Sequence, residues 1–430
     1  MSSHIGLIGL GTMGSALARN IANHKYSVVV YNRTTETTDE FIREYGNEFL
    51  QGKKTLPEFT GSLKNPRTIL LMVDAGKPVA AVIESLKPLL SMGDLIVDCG
   101  NSNFTDTERR ATELKKAGLL FMGWGVSGGE EGALRGPSIM PGGDKNGWQR
   151  VKPIFEAIAA QDFSGKPCVT YIGEGAAGHY VKMVHNGIEY GVMQLMAEAY
   201  DLLRTLYKMK APEIADIFSH FQKGKLESYL FEIAIPVLKQ KDDQAKGYLI
   251  DHILDKAGQK GTGKWTVIDA AERGIAIPSI AEAVFARVIS SEKELRLTLS
   301  KQYKNKSTRP TISRTRFIKL LEEALFAAMI SCYAQGFALI SKTAHEKNWQ
   351  IELGEIARIW EGGCIIRARL LKTIHEAYRS QNESTHLLAI PTIARPLKKS
   401  LTVLQEIVAT GARGSVALPV FSTSLSYLIG

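Results

Sequence analysis

The start of the sequence constrains the fold more than any other stretch. An apolar run, Ile5 to Leu10, leads into Gly9, Leu10, Gly11, Thr12, Met13 and Gly14, the pattern G-x-G-x-x-G. That spacing needs a strand before it and a helix after it. The first glycine permits the tight turn, the second lets a pyrophosphate approach the backbone, and the third packs helix against strand. Here a strand-like run precedes the motif and an amphipathic run follows. The helix N-terminus so formed suits an anion, because its first amides have no partner within the helix. A dinucleotide-binding βα unit is therefore expected at the N-terminus.

The alternation continues downstream. Apolar runs at Tyr26–Tyr31, Thr68–Val73, Leu95–Gly100 and Leu119–Trp124 predict further strands, separated by helical patterns such as Lys77–Leu90. Strand–helix alternation implies a parallel sheet with helices on both faces. Near Gly178 the strand signals stop and long helical patterns take over. We place a boundary in the glycine-rich stretch Gly173–Tyr180. This predicts an α/β Rossmann-like domain over 1–177 and a large all-α domain over 178–430. The helical part repeats itself. Tyr180–Leu203 resembles Phe317–Ile340, aligning Lys182 with Lys319, Tyr200 with Phe337 and Leu203 with Ile340, and Glu213–Phe218 resembles Glu355–Trp360. Similar units in the same order indicate an internal duplication.

Composition acts mainly to exclude. With 430 residues the chain can form two or three domains. No apolar run reaches the ~20 residues of a bilayer-spanning helix, and no basic-then-apolar leader precedes the first strand. Cys99, Cys168, Cys332 and Cys364 lack the spacing of a metal site or a disulfide framework, so a reduced, cytoplasmic protein without a metal is expected. A net charge of +9 suits acidic, phosphorylated ligands. Nucleic acid is a distant alternative, because the densest basic run, Lys304–Arg316, has no interleaved aromatics.

The second strand selects the cofactor. An NAD site places Asp or Glu about 20 residues beyond the glycines, to bind the ribose 2′-hydroxyl. Asn32, Arg33 and Thr34 stand there instead. A carboxylate repels a 2′-phosphate and an arginine fork binds one, so NADP is expected over NAD. Asn101 follows the strand ending at Gly100, at the carboxyl edge where doubly wound sheets bind ligands. Ser127, Gly128 and Gly129 lie in a run with seven glycines among nineteen residues, Gly125–Gly143. Exposed amides in such a run suit an anionic group.

Lys182, His185, Asn186 and Glu189 fall at i, i+3, i+4 and i+7, on one helical face, while Met183, Val184 and Ile188 point elsewhere. The surrounding helix is mostly apolar. Buried Lys and Glu are uncommon unless paired or functional. In the second copy Phe326 and Ala327 replace Glu189 and Tyr190, so the first copy alone carries this face. Further on, Lys256, Lys260 and Lys264 are interspersed with glycines and Thr262, like a phosphate loop without the P-loop order. Arg287 is a lone cation in an apolar helix and calls for an anion.

These segments together resemble the 6-phosphogluconate dehydrogenase family. The pieces that match are Gly9–Gly14, Tyr31–Thr34, Gly100–Asn103, Gly125–Gly143, Gly178–Leu195, Lys260–Thr266, Val284–Arg287, Ile359–Ala368 and Pro419–Tyr427, in family order. The resemblance implies a homodimeric oxidoreductase of the pentose phosphate pathway and gluconate utilisation. NADP⁺ takes hydride from C3 of 6-phosphogluconate, and the 3-keto acid loses C1 as CO2 to give ribulose 5-phosphate. The resemblance makes Lys182 the general base and then the acid, and Glu189 the donor of a proton to C1 of the enediol. Such a base must start as the neutral amine, which burial favours. It assigns Asn101, Ser127, Gly128, Gly129, His185 and Asn186 to the substrate, and Tyr190, Lys260, Thr262 and Arg287 to its phosphate. Val73, Asp74, Ala75 and Asn101 fall beside the cofactor.

Two departures carry expectations of their own. Members of the family continue into a tail whose arginine and histidine reach the partner's phosphate site, and Ser424–Gly430 offers no counterpart. Weak substrate affinity, or NADP binding without turnover, is expected from that. Asp74 stands where the family usually has Lys, putting a negative charge near a pyrophosphate. The nearest alternative enzyme is a smaller β-hydroxyacid dehydrogenase, which shares the Rossmann domain and the lysine but lacks the duplicated helical half.

Overall fold

The computed structural model describes residues 3–303, 308, 310–380 and 385–430. Lys304–Ser307 and Arg309, part of the basic run considered above, lie outside the described residues. The chain divides into two compact units, Met1–Met183 with Ala344–Ile365, and Val184–Thr343 with Ile366–Gly430. This differs from a boundary at 177/178. The strand signals do end there, but the helix Ala177–Tyr207 begins inside the first unit, and Ala344–Ile365 returns to it. Three contacts explain the return. Ser138 Oγ donates to the Ile359 carbonyl at 2.6 Å, the Trp360 indole lies 3.5 Å from Met140 sulfur, and Arg358 pairs with Asp162 at 3.1 Å.

The first unit is built on a seven-stranded sheet. In chain order its strands are β1 (Ile5–Ile8), β2 (Val28–Tyr31), β3 (Leu50–Gly52), β4 (Thr68–Leu71), β5 (Leu95–Asp98), β6 (Leu120–Ser127) and β7 (Ser138–Gly143). Across the sheet they run β3-β2-β1-β4-β5-β6-β7. Every pairing is parallel except β6 with β7. β1, β4 and β5 are buried throughout, as expected for strands covered on both faces. Helices pack on each side, burying Leu17, Ile21 and Trp148 on one face and Phe59, Val79 and Leu114 on the other. The chain order reverses direction at β1, where β2 and β4 lie on either side. That switch point sets the ligand cleft.

In the second unit the two long helices, Ala177–Tyr207 from Val184 on and Arg314–Lys347 up to Thr343, pack through small residues. A Cβ on Gly191 would lie 2.8 Å from Cys332 Sγ, and one on Gly336 would lie 2.5 Å from the Ile188 side chain. The offset that aligns Lys182 with Lys319 also aligns Gly191 with Ala328 and Ala199 with Gly336, and both alanines are fully buried. The duplication therefore preserves the crossing points. A second equivalence appears at the following helices, Tyr229–Lys239 and Arg369–Arg379. Tyr229 N–H donates to Arg367 O and Arg369 N–H to Glu227 O, each at 2.9 Å.

Contrary to the reading of the sequence, the Arg314–Lys347 helix is long and apolar enough to cross a membrane by length and composition. Its apolar window is 83% buried inside the structure, as in a core helix.

Candidate functional site

The glycines of the first turn build a cradle for a pyrophosphate. Gly9 has φ +103°, and a Cβ there would stand 2.4 Å from Met72 O. A Cβ on Gly14 would meet Gly9 O at 1.9 Å, whereas around Gly11 the space is open. Helix Thr12–Asn23 starts from Gly11 with no side-chain cap and no acidic residue in its first turn. Its free amides and the open space at Gly11 suit a phosphate. Asn32 Oδ1 accepts the Leu10 N–H at 3.2 Å and fixes the turn.

A cleft of about 650 Å³ opens beside this turn. Gly9, Gly11, Asn32, Arg33, Thr34, Val73 and Asp74 line it. Leu10 is buried, Met13 packs on the core, Gly14 lies under Gly9, and Thr12, Ala75 and Asn101 do not line this cleft. Sequence reasoning missed Tyr31, Leu56 and Lys77, which line it too.

The turn bearing Asn101 is held from below. Asp98 is fully buried and accepts from Gly100 N–H at 3.1 Å and Ser102 Oγ at 2.7 Å. Arg110, also buried, reaches Asp98 at 3.3 Å and donates to Gly76 O at 2.9 Å, tying this turn to the one after β4. His179 contacts Thr107 Oγ1 at 2.7 Å, and burial lowers its pKa, favouring the neutral ring. Ser102 and His179 fall inside the segments Gly100–Asn103 and Gly178–Leu195 without having been singled out there, and Asp98, Thr107 and Arg110 lie outside both.

At the end of β6, Lys182 and Ser127 meet. Lys182 is 6% exposed and its Nζ donates to Ser127 Oγ at 3.1 Å. The lysine stem runs over Gly125, where a Cβ would lie 2.4 Å from Lys182 Cβ. Gly128 and Gly129 follow with φ of +114° and +62°. Gly363 supports them from beneath, with its carbonyl 2.6 Å from a Cβ built on Gly128.

In the second unit, His185 Nδ1 lies 3.0 Å from Asn186 Oδ1, and Asn186 Nδ2 donates to Thr262 Oγ1 at 3.2 Å. Two glycines bring helix Thr262–Glu272 that close. A Cβ on Gly187 would lie 2.9 Å from Thr266, and one on Gly263 would lie 2.7 Å from the Tyr190 ring. Glu189 is half-buried. Arg287 is half-buried rather than interior. Its guanidinium lies 3.6 Å from the Tyr190 ring centroid and donates to Gly258 O at 2.6 Å, so a cation–π contact and a carbonyl satisfy it. Lys260 is exposed on the loop before Thr262. In the second copy Lys319 is exposed and Glu323 pairs with Lys225, so that face is solvated.

A doubly wound sheet with a glycine cradle, a cationic cleft and a buried lysine–serine pair defines a nicotinamide-dinucleotide oxidoreductase. Comparison with known proteins narrows the class. The family model of the NAD binding domain of 6-phosphogluconate dehydrogenase matches residues 4–173, and that of the 6-phosphogluconate dehydrogenase C-terminal domain matches 178–430. The decarboxylating 6-phosphogluconate dehydrogenase of Synechococcus elongatus is 49% identical over 430 aligned residues, covering 98% of this chain and 90% of that protein. The NADP(+)-dependent decarboxylating enzyme of Bacillus subtilis is 46% identical over 98% of this chain and 90% of its own length. The solved 6-phosphogluconate dehydrogenase of Plasmodium falciparum superposes with a TM-score of 0.95 at 42% identity, over 99% of this chain and 92% of that one. The chain belongs to the 6-phosphogluconate dehydrogenase family.

Proposed function

We propose that the protein is an NADP-dependent, decarboxylating 6-phosphogluconate dehydrogenase, producing ribulose 5-phosphate and CO2 in the oxidative pentose phosphate pathway. One observation carries the reading. Lys182 is buried, hydrogen-bonded to Ser127, and lies on the same helix as Glu189, seven residues on.

When bound, NADP⁺ supplies the hydride acceptor. The glycine turn holds its pyrophosphate, and Arg33 its 2′-phosphate. Lys182 takes the proton of the C3 hydroxyl as hydride leaves C3, and Ser127 aims its amine. The resulting ammonium donates to the C3 carbonyl oxygen as the C1–C2 bond breaks, stabilising the developing enolate while CO2 departs. Glu189 then delivers a proton to C1 of the enediol. Asn101, Gly128, Gly129, His185 and Asn186 position the sugar acid, and Tyr190, Lys260, Thr262 and Arg287 hold its phosphate. No step in this scheme requires a metal, since the β-keto acid is its own electron sink.

The β-hydroxyacid dehydrogenase alternative is not favoured, since the second family model runs from 178 to 430. The relatives matched over nearly the whole chain carry the dehydrogenase name, so turnover is favoured over NADP binding alone. We also propose a homodimer. In the second unit Ile268, Phe285, Val288, Ile289, Leu295 and Leu297 are all more than 40% exposed, an apolar surface that a second copy would cover. A sedimenting mass of one chain would overturn that part. Free, buried thiols at all four cysteines suit a cytoplasmic setting.

The direct test is NADPH absorbance on mixing protein, NADP⁺ and 6-phosphogluconate, beside Lys182→Ala. Formation of NADPH that the variant lacks supports the reading. Equal rates in the two proteins would overturn the role of Lys182, and no NADPH from either would overturn the activity.

A further inference from the structure

The cofactor cleft holds a second cation, Lys77, that no motif marks. Lys77 is the first residue of helix Lys77–Leu86, exposed, and one of the cleft's lining residues together with Arg33. The helix presents Lys77, Pro78, Ala81, Val82 and Ser85 to the cleft. Their spacing, i, i+1, i+4, i+5 and i+8, is one helical face, so Lys77 belongs to the cleft wall rather than to the solvent side. Asp74 lines the cleft three residues earlier. Among the described residues, no ion pair within 4 Å engages Arg33, Lys77 or Asp74. Two unpaired cations therefore share one cavity with a single carboxylate, leaving a net positive cleft that suits a dianion. Arg33 and Lys77 rise from the carboxyl ends of β2 and β4, the two strands flanking β1.

We infer that Lys77 is a specificity-determining residue. It supplies the second positive charge for the 2′-phosphate and offsets Asp74, so that preference for NADP over NAD rests on Lys77 as well as Arg33. The inference builds on the NADP reading above. Gly76, with φ +87° and its carbonyl held by Arg110, fixes the start of the helix and hence the lysine's position.

The test is calorimetric binding of 2′,5′-ADP and of 5′-AMP, which isolates the 2′-phosphate from turnover. The intact protein should bind 2′,5′-ADP more tightly. Lys77→Gln should weaken 2′,5′-ADP about tenfold and leave 5′-AMP unchanged, and Lys77→Arg should restore it. Asp74→Asn should tighten 2′,5′-ADP, with the gain reduced in the Asp74→Asn, Lys77→Gln double variant if the two charges act on one group. The weakening should shrink in high salt, because the contact is exposed. Equal binding of both nucleotides by the intact protein would remove the NADP reading and this inference with it. A preference lost in Arg33→Ala but kept in Lys77→Gln would overturn the inference alone, as would a Lys77→Gln loss shared by 5′-AMP.

Discussion

Gly125 decides whether Lys182 can reach Ser127. The two side chains meet only because the lysine stem occupies the space a Cβ would need, 2.4 Å from Lys182 Cβ and 2.9 Å from Cγ. In Gly125→Ala the stem must shift by roughly an ångström, a displacement that typically costs on the order of 100-fold in rate. The cofactor cleft lies on other strands and should be unaffected. We expect kcat to collapse while NADP affinity, read by nucleotide fluorescence, stays unchanged. An unaltered kcat would show that the amine tolerates a different path. Lys182 itself was legible, since its spacing to His185, Asn186 and Glu189 marks one helical face. Gly125 was not, because nothing in the sequence says which strand face the lysine crosses. Lys77 was illegible for a related reason: a lysine opening a helix normally points into water.

The turn at Gly362 and Gly363 acts on the scale of an element. Gly363 has φ +65°, accepts the Ser138 N–H at 2.8 Å and carries the carbonyl beneath Gly128. A Cβ on Gly363 would lie 2.5 Å from Gly136 O. Gly363→Ala should therefore cost about 1–2 kcal/mol in backbone strain and displace the Ser127–Gly129 loop. The expected signature is a raised KM for 6-phosphogluconate with KM for NADP unchanged; a parallel rise in both would mean general unfolding instead. The motif around Gly363 was visible in the sequence, but its role was not, because its partner loop is more than 200 residues away. Among the elements, β1, β2, β4, β5 and β6 announced themselves as apolar runs. β3 spans three residues and left no periodicity to detect. β7 was hidden inside a run read as a glycine loop, since glycine and proline are poor strand formers and Ser138–Gly143 is held extended by pairing with β6 on one side and by bridges to Val169 and Gly173 on the other.

On the scale of the whole molecule, Glu198 links the last helix to the core and makes stability depend on pH. It is 2% exposed and accepts from Val420 N–H at 2.9 Å, Phe421 N–H at 3.0 Å and Gln194 Nε2 at 3.1 Å. Helix Pro419–Ile429 starts from Leu418, which has no side chain able to cap it, so Glu198 serves as its cap from another helix. Burial dominates the titration. It raises the carboxyl from its ordinary 4.5 to about 7, against the three hydrogen bonds that pull it down and with Glu282 adding a smaller upward push. A raised carboxyl favours the neutral folded form. Its contribution is therefore complete below about pH 4.5, shrinks as pH climbs towards 7, and is constant above that. At most about 3 kcal/mol is at stake. Glu198→Gln cannot titrate, and its amide leaves one of the two helix N–H groups without an acceptor. The variant should be less stable than the parent at every pH. The gap between the two melting temperatures should be widest near pH 5 and narrower at pH 8, because only the parent loses stability across that window. A gap that is constant from pH 5 to pH 8 would mean that Glu198 is ionised throughout and that the helix N-terminus, not burial, sets its charge.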